Sequence, residues 1–532
     1  MYNLIDINWE RSNINIKFKE NLKDKNIYFI STKKVLEFKS NNKQISFNVT
    51  NYPEGHMMNP GQWILVITDD VIRSYDDYYN NMEKYNTINL DAKLISSLQD
   101  KSRIFKYHGD RCACLVDFQI KSDLAFAINI NFMIKNYKYK KFLNTKEYSN
   151  VIKKIGVLIE DIGIFLINVY YRVVRLLSFR KRKTILFLTQ NGDEISTNLR
   201  KLFVSVDKHK YRRKIYAFNS FTSKRKNYFV KAINYIREVA MIASANKIVV
   251  DNYTPVLTHL KLSKNTKLAQ IWHAGIGFKS VGYARFGLPG TPHPFKSCHR
   301  KYTHAFVDKK ELIPIYKEVF GIPENRIYAT GIPRLDNYLN KKEISEKCES
   351  LYKMNDKIKT HKIILFSPTY RGKNSVEAYY DYNLIDQEKI YNFCKKNKFI
   401  FIIKMHPFIE EKINIDSKYK EYIYDYSSLD INKLIYVSDI MITDYSSCAY
   451  EFSMFNRPLI FYRFDKEIYE YLRPIHTLDA FTSNQYEVKE FDELLKVLEK
   501  LKNIKIEDRF SKIIKNENND SCKKIMEILE ND

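Results

Sequence analysis

Residues 438–469 read SDIMITDYSSCAYEFSMFNRPLIFYRFDKEIY, and this stretch indicates the fold of the second half of the chain. It opens with Ile440–Thr443, a run too short for a helix and typical of a buried strand in a parallel sheet. Ser446 and Ser447 then precede an apolar-periodic run, which is a signal for a helix N-terminus. A second apolar run, Leu459–Tyr462, predicts the next strand. A helix N-terminus at such a serine turn favours phosphate binding, although the two serines could also serve only to cap the helix.

The same alternation of strand and helix patterns covers most of the chain after residue 183. Apolar runs of strand length occur at 184–189, 214–218, 247–251 and 268–272, and again at 363–366, 399–404, 440–443 and 459–462. Such alternation predicts an α/β protein with parallel, doubly wound sheets that carry helices on both faces. Two Rossmann-like domains of this kind, facing each other across a cleft, give the GT-B architecture. The join is expected near residues 331–360.

The first 140 or so residues follow a different pattern, with short β-rich runs separated by Asn, Lys, Asp and Gly. Strands at such spacing predict a small antiparallel sandwich, and no catalytic constellation stands out there. We therefore predict four segments: a β-rich accessory domain at 1–145, a basic amphipathic linker at 146–183, an N-terminal GT-B domain at 184–345 and a C-terminal GT-B domain at 346–532.

Residues 151–183 carry an apolar run that ends in a basic cluster. The uncharged core, 162–171, has ten residues, whereas a membrane-spanning helix needs about 20. Arg172, Arg175 and a basic cluster at 180–183 follow it. An amphipathic helix lying in the plane of an anionic membrane surface fits this pattern. The alternative is an interdomain helix packed on protein with its basic end in solvent.

Composition limits the function classes. With 88 Lys and Arg against 62 Asp and Glu, the 532-residue chain has a net charge of +26, which implies anionic partners. The positive residues are dispersed and no nucleic-acid-binding motif is present, so a nucleic-acid partner is not expected. Seven scattered cysteines without a CxxC pair favour neither a zinc site nor a disulfide framework, and a reducing compartment is expected. The N-terminus has no signal-peptide pattern.

Polar residues cluster where the predicted parallel strands end, which is where ligands bind in such sheets. They are His273, Lys279 and Arg285 in the first series, and Arg371, Lys404, His406 and 444–447 in the second. A lone histidine is more often structural than catalytic. Two histidines that follow strands of different domains are better explained by a shared site.

Five segments of the chain resemble the CDP-glycerol glycerophosphotransferase family, which comprises the teichoic-acid polymerases and primases. The matching runs are IWHAGIGFKSVGYAR, ATGIPRLD, ILFSPTYRG, IIKMHPF and most of the stretch quoted first, in order between about residues 184 and 471. The sequence of the run around His273 is most similar to that of the poly(ribitol-phosphate) polymerases. The N-terminal β-rich region also resembles the accessory domain of the ribitol enzymes. The match fades after Leu472, so His476 and Asp479 receive no role.

The resemblance implies a transferase that moves ribitol phosphate or glycerol phosphate from a CDP-polyol to a lipid-linked polyol-phosphate chain. The terminal hydroxyl of that chain would attack, and CMP would leave, in the synthesis of teichoic acid or a teichoic-acid-like capsule. A neutral hydroxyl needs a base near pH 7, and histidine is the side chain suited to that task. His273 is the expected base.

The resemblance also implies roles for other residues in the matching runs. The expected catalytic residues are His273 and His406. The residues expected to bind donor phosphate or nucleotide are Arg371, Lys404, Thr443, Asp444, Ser446, Ser447 and Glu451. Those expected on the acceptor side or in the cleft are Lys279, Arg285 and Arg334. A surface role for Glu451 is the alternative to contact with ribose hydroxyls.

The implied partners are the CDP-polyol donor, the lipid-linked acceptor and an anionic membrane surface, with a peripheral location on the cytoplasmic face of the membrane. No DxD-like pair ends a strand, so no tightly bound metal or cofactor is expected. The sequence leaves open whether Mg²⁺ stimulates activity, whether the chain is a homo-oligomer, and whether the donor carries glycerol or ribitol. The alternatives are a GT-B sugar-nucleotide glycosyltransferase and a basic membrane- or nucleic-acid-binding protein.

Overall fold

The computed structural model describes residues 1–85, 88–107, 112–121, 125–134, 147–178, 183–190, 194–217, 228–272, 279–288, 290–336, 341–372, 377–476, 485–503 and 520–531. Three features singled out from the sequence fall outside these ranges: His273, most of the basic cluster at 180–183, and Asp479.

The N-terminal part folds into two β-sheets that enclose a shared apolar core. The strands are β1 (Tyr2–Glu10), β2 (Asn13–Phe18), β3 (Asn26–Ser31), β4 (Lys34–Phe38), β5 (Gln44–Asn48), β6 (Gly61–Thr68), β7 (Ile88–Leu90), β8 (Arg103–Tyr107), β9 (Cys112–Ile120) and β10 (Phe126–Ile134). The sheet orders are β5-β2-β1-β7 and β4-β3-β6-β10-β9-β8, antiparallel except for the β1–β7 pair. Alternation explains the packing of β2, in which Ile14, Ile16 and Phe18 are buried. The predicted sandwich is confirmed, with short helices α1 (Tyr75–Tyr79), α2 (Met82–Tyr85) and α3 (Ala92–Ser97) inserted.

A long helix, α4 (Glu147–Ser178), connects this part to the first parallel sheet. One face of α4 packs on protein: Tyr171 is buried, and Asn168 donates to the carbonyl of His259 at 3.0 Å. The Asn168 side-chain oxygen accepts from the Lys261 N–H at 2.7 Å. The helix is therefore held by specific polar contacts as well as by apolar packing.

The first parallel sheet has the strand order β12-β11-β13-β14-β15-β16. Its strands are β11 (Thr184–Thr189), β12 (Arg212–Ala217), β13 (Lys247–Val250), β14 (Lys267–Gln270), β15 (His304–Val307) and β16 (Ile327–Ala329), with helices α5 (Thr197–Ser205), α6 (Tyr228–Ala243), α7 (Pro255–His259) and α8 (Ile313–Phe320). Every described pair in it is parallel. β11 is buried along its whole length because helices cover both faces of the sheet.

The second parallel sheet has the order β19-β18-β17-β20-β21-β22, the 3-2-1-4-5-6 order of a doubly wound Rossmann-like fold. Its elements are α9 (Lys341–Met354), α10 (Lys357–Thr360), β17 (Lys362–Phe366), α11 (Gln387–Asn397), β18 (Phe399–Ile403), β19 (Ile423–Asp425), α12 (Ile431–Val437), β20 (Ile440–Thr443), α13 (Cys448–Ser453), β21 (Leu459–Tyr462), α14 (Lys466–Leu472), β22 (Gln485–Val488) and α15 (Phe491–Leu501). The strand order reverses between β17 and β20, so a ligand crevice is expected there.

The last helix, α16 (Ser521–Asn531), returns to the first parallel sheet. Ile525 and Leu529 pack in one apolar cluster with Leu199 of α5, and the Ser521 hydroxyl donates to Asp336 at 2.6 Å. The predicted division places this segment with residues 346–532, whereas its contacts are with the first sheet. That division as a whole remains a prediction.

The N-terminal sandwich contacts the first parallel-sheet unit through ion pairs and backbone carbonyls. Arg11 forms a two-pronged pair with Glu318 of α8, with Nε–Oε1 at 3.0 Å and Nη2–Oε2 at 2.8 Å. Arg300 donates to the Thr50 carbonyl. These partly buried contacts join the sandwich to the first parallel-sheet unit.

Candidate active site

Three strands of the second sheet end in register at the switch point. Phe366 of β17 pairs with Ile403 of β18 and with Ile442 of β20. The segments that follow these three strands therefore lie together at one edge of the sheet. Thr443 is buried there and donates its hydroxyl to the Ser367 carbonyl at 2.7 Å, which fastens the end of β20 to the end of β17.

Arg371 lies at the centre of this edge between two carboxylates. Its Nη1 is 2.9 Å from Asp444, and its Nε and Nη2 are 2.7 and 3.0 Å from the two oxygens of Asp465. Burial disfavours its charge, but the two carboxylates outweigh burial and raise the pKa of Arg371. Asp444 is only 1% exposed and also accepts from the Thr369 N–H at 2.7 Å. Arg371 and Asp444 thus hold each other and the loop after β17; direct donor contact by either remains a prediction.

Lys404 is also engaged by the protein. Its ammonium donates to the Ser427 carbonyl at 2.7 Å and to the Met405 carbonyl at 3.2 Å, and burial lowers the pKa of Lys404. Its position at the crevice is as predicted. Its hydrogen bonds show that it also supports the loop on which His406 lies.

His406 follows β18 and is a neutral imidazole near pH 7. Burial, together with the charges of Lys279 and Lys404, lowers the pKa of His406 to about 4. Its Nδ1 accepts from the Phe408 N–H at 3.2 Å, which leaves the ring proton on Nε2. The ring lies beside that of Tyr370, with centroids 4.8 Å apart. His406 can therefore donate a hydrogen bond from Nε2 without carrying a charge.

Lys279 reaches this edge from the other side of the cleft. It belongs to the loop after β14 of the first sheet, yet its ammonium lies 3.3 Å from the Thr369 hydroxyl of the second unit. Burial lowers the pKa of Lys279 to about 8, although the nearby Asp444 opposes the shift. The two cleft walls therefore meet at a lysine that forms no ion pair with any described carboxylate.

The serine turn precedes a helix, as predicted, but without the expected cap. Ser447 occupies the N-cap position of α13, and its hydroxyl makes no capping hydrogen bond. The Ser446 hydroxyl accepts from the Cys448 thiol at 3.0 Å. The apolar side of this six-residue helix is buried, so packing rather than capping positions it.

Two side chains of α13 bind the first unit. Tyr450 donates to Asp308 at 2.6 Å in the buried interface, and Glu451 forms an ion pair with Arg334. Glu451 is 2% exposed, which argues against the surface role considered for it. The expected assignments of Glu451 to ribose and Arg334 to phosphate remain untested, but in this structure the two groups bind each other.

The residue before His273 has an unusual backbone conformation. Trp272 has φ of 43°, in the left-handed region that bulky side chains rarely adopt. Its N–H donates to the Gln270 side-chain oxygen at 2.9 Å, and its carbonyl accepts from the Asn198 amide at 2.7 Å. The Oδ1 atom of the buried Asn198 side chain accepts from the backbone N–H of Arg334 at 2.8 Å. Strain of this kind is concentrated at functional sites.

Four further residues contact the site and are not predicted from the sequence: Asn198, Asp465, Tyr370 and Arg473. Asp465 and Tyr370 lie within the matching runs, where an acidic or aromatic residue beside a basic one was the available signal. Asn198 lies in the first turn of α5, far along the chain from its partners, and has no local signal. Arg285 is near Arg473 and is described below. Among the described residues, no group of three or more His, Cys, Asp or Glu side chains could hold a metal ion.

A family model described as CDP-Glycerol:Poly(glycerophosphate) glycerophosphotransferase matches residues 169–529, well over half of the chain. The chain belongs to this glycerophosphotransferase family. The predicted resemblance is thereby confirmed.

Known proteins of the family are similar over different lengths. The chain is 27% identical to the teichoic acid ribitol-phosphate polymerase TarL of Staphylococcus aureus over 93% of this chain and 92% of TarL. It is 33% identical to the teichoic acid poly(ribitol-phosphate) polymerase of Bacillus spizizenii over 60% of this chain and 51% of that protein. The structure of the wall teichoic acid polymerase TagF matches with a TM-score of 0.50 at 19% identity, covering 72% of this chain and 97% of TagF. This likeness confirms the predicted GT-B fold.

We expect Asn198→Ala to destabilise the glycerophosphotransferase fold at the cleft. The change removes the hydrogen bonds from the Asn198 amide to the Trp272 carbonyl and from the Arg334 N–H to Asn198, at a cost of about 1–3 kcal/mol each. Denaturant unfolding should therefore show a clear loss of stability. Asn397→Ala, which removes one hydrogen bond to the Phe393 carbonyl at a helix end, is the matched control and should cost less. Equal losses in the two variants would contradict a special role for Asn198.

Proposed function

We propose that this chain transfers ribitol phosphate from CDP-ribitol to the terminal hydroxyl of a lipid-linked polyol-phosphate chain and releases CMP. The observation that carries the proposal is the meeting of Lys279 and His406 at the switch-point crevice. Lys279 contributes a positive charge from one wall of the cleft, and His406 contributes an uncharged N–H donor from the opposite wall. A positive charge and an uncharged N–H donor both suit the oxygens of a nucleoside diphosphate ester.

The reaction follows from these groups. The acceptor oxygen forms a bond to the phosphorus that bears the polyol, and the bond from that phosphorus to the bridging oxygen breaks. CMP departs with the bridging oxygen and its electron pair. The hydroxyl proton passes to His273, the proposed base, and His406 Nε2–H donates to the departing phosphate. Ser446, Ser447 and Lys404 are proposed to border the donor phosphates.

The extent of similarity favours ribitol over glycerol. Similarity to the ribitol-phosphate polymerase TarL covers 93% of this chain and so includes the N-terminal sandwich. Similarity to the teichoic acid poly(glycerol phosphate) polymerase of Bacillus spizizenii covers 68% of it, and similarity to the glycerol-phosphate primase of Bacillus subtilis covers 45%. We therefore propose that the sandwich is a feature of the ribitol-phosphate enzymes. We also propose that this chain extends a polyol-phosphate chain rather than adding its first unit.

CMP release with separate donors tests the proposal. With a short polyol-phosphate acceptor, we expect release from CDP-ribitol to exceed release from CDP-glycerol by at least about tenfold, and no turnover of a UDP-sugar. His273→Ala should lower turnover by roughly two to four orders of magnitude, the range for a general base.

The control for the His273→Ala variant is its affinity for CDP-ribitol, measured by calorimetry, which should change little. Turnover of a UDP-sugar in place of CDP-polyols would support the glycosyltransferase alternative. A His273→Ala enzyme with nearly full turnover would remove the base assignment while leaving the donor assignment standing.

The lowered pKa of Lys279 predicts a pH dependence for donor binding. Below about pH 7 the amine is charged, and its attraction for the diphosphate is fully present. As the pH rises through about 8 the free protein loses this charge, so donor affinity should fall. Lys279→Arg keeps a charged group over this range and should shift the fall to higher pH. Calorimetry from about pH 6.5 to 9.5 checks this, and superimposable profiles for the two proteins would contradict it.

We also propose that α4 binds the membrane surface in its plane. Along the side opposite Asn168 and Tyr171, exposed apolar residues recur at intervals of three and four: Ile159, Ile162, Leu166, Val169, Val173 and Leu176. Phe165 and Leu177 widen this stripe, and Leu177 is 75% exposed. Among the described residues, no helix is both long and apolar enough to cross a bilayer. A helix that packs on protein by one face and exposes an apolar stripe on another suits an enzyme with a lipid-linked acceptor.

Vesicle sedimentation tests the placement. Wild-type protein should sediment with anionic vesicles at low salt and be largely released at high salt, because attraction to basic residues is screened. Leu166→Gln with Leu176→Gln should reduce sedimentation at every salt concentration. Val71→Gln with Ile104→Gln, exposed apolar residues of the sandwich, is the matched control and should have no effect. If the α4 variant instead alters only the oligomeric state, the stripe is an interface between copies and the membrane proposal fails.

A further inference from the structure

Two arginines from opposite walls of the cleft come close together beside the His406 site. Arg285 ends the 3-10 turn Gly282–Arg285 of the first unit, and Arg473 follows α14 of the second. The chain segments that carry them are joined, because Lys279 pairs with Ile475 in an antiparallel bridge and the Ser280 N–H donates to the Pro474 carbonyl at 2.8 Å.

Neither arginine has an anionic partner among the described residues. The Nε of Arg285 is buried and makes no hydrogen bond, and neither guanidinium forms an ion pair with a carboxylate in the part of the chain that the structure describes. Burial and the nearby charge of Arg473 lower the pKa of Arg285, and Arg473 likewise disfavours the charge of Lys279. Like charges held together without a counter-ion cost stability, a cost that proteins commonly bear at binding sites.

The position of this pair is set by the fold. Gly282 has φ of 55°, and a Cβ there would lie 2.1 Å from the Val319 carbonyl oxygen, so the turn that carries Arg285 needs glycine. The Arg473 guanidinium lies 5.8 Å from the centre of the Tyr370 ring, the same ring that packs beside His406. The pair therefore adjoins the proposed donor site and is separated from His406 by one aromatic ring.

We propose that Arg285 and Arg473 together bind a phosphodiester of the acceptor chain, one polyol unit away from the attacking hydroxyl. This inference rests on the proposed function. The donor diphosphate already has Lys279 and His406, whereas the Tyr370 ring separates the arginine pair from His406. A guanidinium pair matches the two free oxygens of a phosphodiester. An acceptor that already carries polyol phosphate would be bound here, and an uncharged polyol would not.

The test is calorimetric binding of a short, soluble polyol-phosphate oligomer to wild-type protein, Arg285→Gln and Arg473→Gln. Each variant should bind the oligomer roughly tenfold to a hundredfold more weakly, the loss expected for a charge-assisted hydrogen bond. Binding of CDP-ribitol should change by less than about threefold. Arg212→Gln, an exposed residue of β12 outside the cleft, is the control and should bind both ligands as wild type does.

A second measurement separates binding from a merely structural role. Without ligand, each of the two variants should melt at a higher temperature than wild type, because one of two like charges is gone. Weaker CDP-ribitol binding with unchanged oligomer binding would assign the arginines to the donor diphosphate and overturn the proposal. Unchanged binding of both ligands, or lower melting temperatures in both variants, would overturn it as well. If oligomer binding depends on the arginines but wild-type protein does not turn over CDP-ribitol, the subsite stands and the proposed function fails.

Discussion

The pairing of Arg371 with Asp444 and Asp465 is the interaction on which the second half of the cleft depends. It ties together the segments that follow β17, β20 and β21, three neighbouring strands of the second sheet. Because Asp444 is almost fully buried, loss of the arginine would leave a carboxylate without compensation, a change that costs about 3–5 kcal/mol in comparable buried pairs. Asp444 in turn accepts from the Thr369 N–H, and the Thr369 hydroxyl contacts Lys279. The ion cluster thus fixes the wall against which the first unit places its lysine.

A second set of contacts couples the two units behind that wall. Helix α13 carries the serine turn on one unit and binds the other through Tyr450 to Asp308 and through Glu451 to Arg334. The backbone of Arg334 binds Asn198, whose amide also holds the carbonyl of Trp272 immediately before His273. The helix that carries the serine turn and the backbone that leads to the proposed base therefore belong to one connected set of contacts.

The sequence predicts the fold well and the site only in part, for physical reasons. The apolar strands β11, β17, β18, β20 and β21 are recognisable because burial on both faces imposes continuous apolar runs. The short strands β15, β16, β19 and β22 read HAFV, IYA, IYD and QYEV, and none of them is a run of large aliphatic residues that would distinguish it from a loop. Strand ends locate the crevice, so Arg371, Lys404 and His406 are found. Pairings such as Arg334 with Glu451, and the return of α16 to the first sheet, arise from contacts between distant segments and have no local signal. The roles proposed for the site residues remain predictions.

The cleft is less positively charged than its content of basic residues implies. Arg371 is neutralised by two carboxylates, Lys404 donates to backbone carbonyls, and His406 carries no charge near neutral pH. The cations left without ion pairs among the described residues of the site are Lys279, Lys404, Arg285 and Arg473, and the Lys404 ammonium is held by backbone carbonyls. A crevice crowded with free cations would bind CMP almost as tightly as the transition state and would slow its release. A neutral N–H donor such as His406 strengthens its hydrogen bond as charge develops on the departing phosphate, yet holds the product weakly. In the proposed reaction, the low pKa of His406, imposed by burial and by its lysine neighbours, would favour turnover over tight binding of the nucleotide product.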